Sequence, residues 1–416
     1  MTHDLTPSDS LGGAIMSQIE QLATYSELAN GLSRRYLSPE HRKANDQVGD
    51  WMQSAGMNVR QDEIGNIIGR YEGTSEGLPA VMIGSHLDTV VMAGKYDGML
   101  GVTTGIACVE ELNRQGKRLP FAIEIIGFAD EEGVRFQSTY LGSRALTGNF
   151  DTALLERKDE HGLTMAQAMT EFGLDPLRVG DAARQKKDIL AYLELHIEQG
   201  PVLESENLPV GVVTSIAGAN RMLITLEGVA GHAGTVPMGM RQDALAVAAE
   251  CILAVETVCS EGDNVVGTVG KLTTEPGAVN VIPGDVQFTL DLRAAKDENR
   301  IKALEKVSRL MVEAARRRGV KLTLENTHQA VSVPCDDNIM NFIDQAITES
   351  GWPVRRLPSG AGHDAAAMAE MVPAGMLFIR CKDGISHSPA EDITIEDALA
   401  GARVMFKLLS NLDFSS

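Results

Sequence analysis

The sequence predicts an α/β protein: a larger domain with a mostly parallel sheet flanked by helices, and within it an inserted ferredoxin-like α+β domain. Three observations carry this. Buried apolar runs alternate with helical patterns in the first half, which implies parallel strands joined by crossover helices. From about Ser215 the order changes to β-α-β-β-α-β, the split βαβ unit of a ferredoxin-like sandwich. The chain of 416 residues, 44% hydrophobic and 23% charged, has the length and composition for two packed domains.

The amino-terminal region opens with helical patterns. Ser38 is placed to cap a helix whose first position is Pro39 and whose body, His41 to Ala55, closes on Gly56. Strands follow at Asn66 to Tyr71, Ala80 to Ser85 and Phe121 to Ala129, with a helix from Gly101 to Gln115 between the last two. The polar, helix-prone stretch Asp151 to Asp188 interrupts the alternation before a strand at Ile189 to Leu195. In the second half, Arg221 to Gly228, Asn264 to Thr274, Asp285 to Arg293 and Val320 to Glu325 read as strands. Asp243 to Val258 and Glu298 to Arg318 read as helices. The first sheet resumes with Val354 to Leu357 and Met376 to Arg380, so the expected boundaries are 1–214 and 330–416 for the larger domain and 215–329 for the insertion. No internal repeat or low-complexity tract is visible.

The formal net charge of -20 argues against a nucleic-acid or anionic-membrane partner, because those surfaces need clustered Lys and Arg. The run Arg316-Arg317-Arg318 before Gly319 reads as a last-turn cluster opposing the helix dipole, with Gly319 as the cap. Cys108, Cys251, Cys259, Cys335 and Cys381 form no CxxC pair and are expected to be reduced core residues. Met1 to Ser10 lacks the basic start and apolar stretch of a signal peptide, and no apolar run is long enough to span a membrane. The expected location is cytoplasmic.

Chemistry gathers at strand ends. Ala80 to Ser85 leads into His86 and Asp88, the loop Gly94 to Gly98 carries Asp97, and Phe121 to Ala129 runs into Asp130-Glu131-Glu132. Ile189 to Leu195 ends at His196, and a loop after Met376 to Arg380 bears His387. Open α/β sheets keep their sites at such ends. His86, Asp97, Glu132, His196 and His387 offer imidazole and carboxylate donors without thiolate, a set suited to zinc, manganese or cobalt. Two such ions close together need an anion between them, and Asp97, in a Gly-flanked loop, is the candidate bridge. On an extended backbone Glu131 and Glu132 could not both face one ion, so one is expected to bind metal and the other to serve as base toward the attacking water. Asp88 follows His86 at i, i+2 and is expected to orient the imidazole rather than ligate. His3, His41, His161 and His328 lack a partner motif, and Met368 and Met371 read as core filler.

Taken together, GSHLDTV (Gly84 to Val90), GKYDG (Gly94 to Gly98), DEEGVRF (Asp130 to Phe136), ELHIEQGPVLE (Glu194 to Glu204), GHAGTVPM (Gly231 to Met238), NVIPG (Asn280 to Gly284), DLRA (Asp291 to Ala294), SGAGHDA (Ser359 to Ala365) and GISHSPAE (Gly384 to Glu391) resemble a known family. It is the hydantoinase/carbamoylase branch of the binuclear aminoacylase and carboxypeptidase-type metallopeptidases. The resemblance spans about residue 30 to the end. It implies one divalent ion on His86, Asp97 and His196 and a second on Asp97, Glu132 and His387, with Glu131 as general base. It also implies that His232 polarises the scissile carbonyl, often in a neighbouring subunit's site, that Asn280 and Arg293 clamp a substrate carboxylate, and that Gln199 lines the pocket. The inserted domain would then act as a lid and dimerisation domain of a homodimer.

The implied reaction is hydrolysis of the ureido C–N bond of a small N-carbamoyl carboxylate, as in N-carbamoyl-L-amino acid hydrolases. Allantoate amidohydrolase is the alternative. By resemblance, allantoate enzymes carry Gln directly after Ile-Ala-Gly, where this chain has Ala219, whereas Arg221 and the GHAGTVPM spelling stand closer to those enzymes. A dipeptidase or aminoacylase of the same fold is opposed by His196, where an acid is expected. A metal-dependent binding protein without turnover is opposed by Glu131, since binding alone needs no spare carboxylate beside the ions.

Overall fold

The structure is a computed structural model that describes residues 8–414. The first seven residues of the Met1 to Ser10 segment, His3 included, lie outside the described residues. In chain order the strands are β1 (Asn58–Gln61), β2 (Ile67–Tyr71), β3 (Ala80–His86), β4 (Ala122–Phe128), β5 (Ile189–Ile197) and β6 (Val210–Ile216). Next come β7 (Gly218–Glu227), β8 (Gly231–His232), β9 (Val265–Thr268), β10 (Leu272–Glu275), β11 (Val281–Ile282), β12 (Asp285–Ala294) and β13 (Lys321–Ala330). The last are β14 (Val333–Pro334), β15 (Arg356–Ser359) and β16 (Ala374–Ile379). The chain forms two compact units. One takes the described residues of Met1–Thr214, Cys335–Leu357 and His363–Ser416, and the other takes Ser215–Pro334 and Pro358–Gly362.

In the larger unit the strand order runs β1-β2-β4-β3-β5-β16-β6. The centre, β4-β3-β5-β16, is parallel; β2 on one side and β6 on the other run antiparallel to it, and β1 pairs antiparallel with β2. Every residue of β3 and β4 is buried, which is why those segments read as continuous apolar runs rather than alternating ones. Glu124 is the charged exception within β4, and it is satisfied by Arg70 and Arg184. Polar, largely exposed β1 carries no apolar period and so left no strand signal. The helix Pro39–Ser54 is capped as its sequence predicts: the Ser38 side chain accepts from the His41 N–H. The stretch Asp151 to Asp188 contains one short α-helix, Met165–Glu171, with a capping box at Thr164, and the 3₁₀ helices Thr152–Glu156, Pro176–Ala182 and Lys186–Asp188. Its Met165, Met169 and Phe172 share a small core with Tyr36, Ile64 and Phe136.

The second unit has strand order β10-β12-β7-β13, with β9 also pairing β12, and its named pairings are antiparallel. The helices Ala244–Ser260 and Asp297–Arg318 supply Val247, Cys251, Val307 and Met311 to a core shared with Ile224, Leu226, Phe288 and Leu290. Residues of β12 alternate between buried and more exposed, as in a sheet with one covered face. The single strand expected over Asn264 to Thr274 is two: β9 pairs Asp291–Ala294 and β10 pairs Asp285–Phe288. Gly270 lies in the break, where a residue without a side chain gives the ladder nothing to pack. β15 starts at Arg356, two residues after Val354, where the resumed sheet was expected to begin. Arg317 and Arg318 close their helix by pairing with Glu250, and Gly319 takes the left-handed cap conformation at φ 66°. All five cysteines are free and buried. Among the described residues no helix is long and apolar enough to cross a membrane.

Candidate metal centre

Four neighbouring parallel strands end on the same edge of the larger sheet, and their spacing of roughly 4.8 Å per strand brings distant sequence into one place. His86 closes β3, Glu131 and Glu132 follow β4, His196 lies near the end of β5, and His387 follows β16. Asp97 comes from the loop that enters the crossover helix Met99–Arg114. Two glycines of that loop are sterically required. A Cβ on Gly94 would meet the Glu391 side chain at 2.1 Å, and one on Gly98, already at φ +75°, would meet the His86 ring at 2.6 Å. The two glycines let Asp97 approach the end of β3 closely.

Asp97 sits at the centre of the cluster, and its two oxygens face different partners. Oδ1 lies 3.2 Å from His86 Nε2 and 3.1 Å from His196 Nε2. Oδ2 lies 3.1 Å from His387 Nε2, which is itself 3.4 Å from Glu132 Oε1. Donor atoms of His86, Asp97 and His196 fall within 4.8 Å of one another, as do those of Asp97, Glu132 and His387. The tautomers follow from the far side of each buried ring. His86 Nδ1 is 2.9 Å from the Asp88 carbonyl and His196 Nδ1 is 2.9 Å from the Ile197 carbonyl. A carbonyl only accepts, so each Nδ1 carries a hydrogen and Nε2 is the ring nitrogen turned toward Asp97. At this distance an imidazole nitrogen either donates a proton to the carboxylate or shares a cation with it, and imidazole with carboxylate is the donor set of a borderline divalent ion. These residues therefore fit a divalent metal. Burial alone would raise the Asp97 carboxyl, but His196, His387 and His86 outweigh it and hold it well below the usual carboxylate range.

The two acids after β4 do not continue an extended backbone. The chain turns, with Gly133 at φ 67°, and both Glu131 and Glu132 come within reach of His86. The Asp88 carboxylate sets this turn by accepting from the Glu131 N–H at 2.9 Å and the Glu132 N–H at 3.1 Å. Its backbone carbonyl, rather than its carboxylate, makes the shorter contact to the His86 ring. Burial pushes the Glu131 carboxyl well above its usual range, against His86 and with Glu132 adding to the rise. Glu132 is pushed up to about 7 by burial and by Asp97. The Oδ1 side of Asp97 is enclosed, whereas the His387 side chain is 50% exposed, so the cluster opens toward solvent on the Oδ2 side.

Gln199, at φ 57°, donates to Asp97 Oδ2 at 2.9 Å and to Ser386 Oγ at 3.0 Å. In the second unit His232 is exposed on β8 and pairs Val281 of β11, and the Ala233 N–H donates to the Asn280 carbonyl. Arg293 is held by the Asp291 carboxylate through Nε at 2.8 Å and Nη2 at 2.9 Å, and its Nη1 donates to the Gly360 carbonyl. Arg221 reaches the same Asp291 carboxylate at 3.2 Å.

Several residues around the cluster carry no role in the sequence reading. Glu391 accepts from the Tyr96 and Asp97 N–H groups and from Ser386 Oγ, fixing the Asp97 loop. His363 sets its ring edge-on to His196, centroids 4.5 Å apart, and burial with His196 beside it holds its imidazole well below the usual range. Buried Glu194 accepts from Ser85 Oγ, Tyr192 Oη and the Ala365 N–H. Each stands inside a motif already singled out, GISHSPAE, SGAGHDA or ELHIEQG, and that was the available signal.

The model for peptidase family M20/M25/M40 matches residues 82–411. The chain is 42% identical over 394 residues to an N-carbamoyl-L-amino-acid amidohydrolase of Pseudomonas sp. (strain NS671), covering 94% of this chain and 95% of that protein. It is 38% identical over 447 residues to allantoate deiminase 1 of Glycine max, covering 99% and 92%. Among solved structures, a hydantoinase/carbamoylase family amidase from Burkholderia multivorans superposes with a TM-score of 0.91 at 31% identity, covering 98% of each chain. With the match over the site-bearing strands and the metal-type donor set at their ends, the chain belongs to the metal-dependent peptidase family M20/M25/M40, and within it to the hydantoinase/carbamoylase group.

Proposed function

We propose that this protein is a binuclear metal amidohydrolase that cleaves the ureido C–N bond of small N-carbamoyl carboxylates, of the N-carbamoyl-L-amino acid hydrolase type. The observation that carries the reading is the division of Asp97: one oxygen serves His86 and His196, the other serves His387 on the Glu132 side. One ion would rest on His86, Asp97 and His196 and the other on Asp97, Glu132 and His387, and zinc, manganese or cobalt suits such donors. When bound, such a pair polarises a carbonyl and lowers the pKa of water toward neutral.

The remaining work falls to the protein. Glu131 takes the proton of the attacking water and returns it to the leaving nitrogen, and the carbamoyl group leaves as ammonia and carbon dioxide. His232 donates to the developing oxyanion. Arg293, with Asn280 of the partner subunit, grips the substrate carboxylate, and a planar guanidinium already oriented by Asp291 suits that geometry. Arg293→Ala is expected to raise KM for carboxylate-bearing substrates at least about tenfold with a smaller change in kcat; an equal loss on an uncharged analogue contradicts the clamp.

We further infer a cytoplasmic homodimer in which His232 serves the partner's site. Asn280 and His232 lie beyond the Asp285 end of β12, whereas Arg293 is eight residues along it, about 27 Å of strand at ~3.4 Å per residue. A small substrate held by Arg293 of one chain is out of reach of His232 from that same unit. Mixing His232→Ala chains with Glu131→Gln chains is expected to restore partial activity through hybrid dimers, and no recovery would place His232 in its own chain's site.

Allantoate is the second reading, favoured by Arg221 beside Arg293 on Asp291. Ammonia release from N-carbamoyl-L-amino acids, 3-ureidopropionate and allantoate, with free amino acid released from dipeptides measured beside it, separates these. The proposal expects the highest kcat/KM on an N-carbamoyl-L-amino acid. Preference for allantoate installs the second reading, and turnover of dipeptides alone contradicts both.

A further inference from the structure

Arg34 is completely buried, yet its guanidinium hydrogen-bonds only uncharged acceptors. Nε donates to the Leu87 carbonyl at 2.7 Å and Nη1 to the carbonyls of Leu22 and Tyr25 at 2.7 and 3.0 Å, while Nη2 faces the thioether sulfur of Met99, a weak acceptor. Its backbone joins the same loop: the Arg34 N–H donates to Thr89 Oγ1, and the Thr89 N–H donates to the Arg34 carbonyl. Two residues earlier, Leu32 bridges Ala93. A buried cation hydrogen-bonded to no carboxylate is a poor device for stability, since an apolar side chain of similar volume fills such space at lower desolvation cost. The acceptors point to a different use. Leu87 directly follows His86, and Met99 lies two residues after Asp97.

We infer that Arg34 is a positioning residue that fixes the separation of His86 from Asp97, the two donors meant for one ion, by gripping both ends of the loop between them and tying it to Leu22 and Tyr25. The inference rests on the metal-centre reading above. Donors for a metal must be held to within roughly 0.5 Å, and groups that orient ligands without touching the ion are typically worth about 10- to 100-fold in metal affinity. A lysine keeps the charge but cannot present the planar fork that reaches Leu87, Met99 and the carbonyls of Leu22 and Tyr25 together. Arg34 touches no reacting atom.

The test uses full-length protein stripped with a chelator and titrated with cobalt(II), following bound metal by equilibrium dialysis and the visible absorption of the cobalt protein. Wild type is expected to bind two equivalents. Arg34→Lys and Arg34→Met, folded by circular dichroism, are expected to bind at least one equivalent about 10- to 100-fold more weakly with a shifted cobalt spectrum. Wild-type affinity and spectrum in a folded variant overturn the positioning role while leaving the metal centre intact. Failure of both variants to fold overturns it too, making Arg34 a structural residue. Absence of cobalt binding in wild type removes the metal centre itself, and this inference with it.

Discussion

Replacing Asp97 with alanine is expected to abolish turnover, a loss of at least about 10³-fold, and to release both metals. The magnitude follows from what the carboxylate holds together. It is the one anion facing all three imidazoles, at 3.1 to 3.2 Å, and it is the one group belonging to both donor sets with Glu132 and His387 on its far side. Without it neither set keeps three donors, and two ions would also lose the negative charge that screens them from each other. Metal catalysis is worth several kcal/mol of transition-state stabilisation, and each 1.36 kcal/mol is about tenfold in rate. Metal content after desalting, measured beside turnover, checks the result. Full metal retention with lost activity would make Asp97 something other than a bridge.

Glu131→Gln is expected to keep both metals and lose about a hundredfold or more in kcat. Glutamine preserves the shape and the backbone donation to Asp88, so the turn that carries Glu132 is undisturbed. What it removes is the capacity to take and return a proton, and general base catalysis contributes about 10²- to 10⁴-fold. Glu131 is buried within reach of His86 and Glu132 but outside the two donor sets that share Asp97, which is where a base rather than a bridging ligand would stand. Unchanged turnover in a fully loaded variant would take Glu131 out of the base role. A variant that loses metal instead would make it a ligand.

The strands that build the centre were legible because burial on both faces forces near-continuous apolar runs, as in AVMIGSH and AIEIIGF. His86, Asp97, Glu132, His196 and His387 were legible because parallel strands bring their carboxyl ends to one edge, so imidazoles and carboxylates placed just there converge as a donor set. Less legible was everything that acts through backbone. Asp88 spends its carboxylate on the Glu131 and Glu132 amides, Arg34 grips carbonyls, and Glu391 holds the Asp97 amide from 294 residues away. No side-chain pattern announces an acceptor that is a main-chain oxygen. The same holds for β1, whose polar residues pair with β2 through backbone alone, and for the break between β9 and β10, set by pairing with β12 rather than by a change of period.

A carboxylate shared between two cations would be visible in anomalous diffraction from metal-loaded crystals, recorded at the absorption edge of the bound metal. Two peaks per chain are expected, one against Asp97 Oδ1 with His86 and His196 and one against Oδ2 with Glu132 and His387. A single peak, or none at Asp97 in protein that is active, would contradict that sharing.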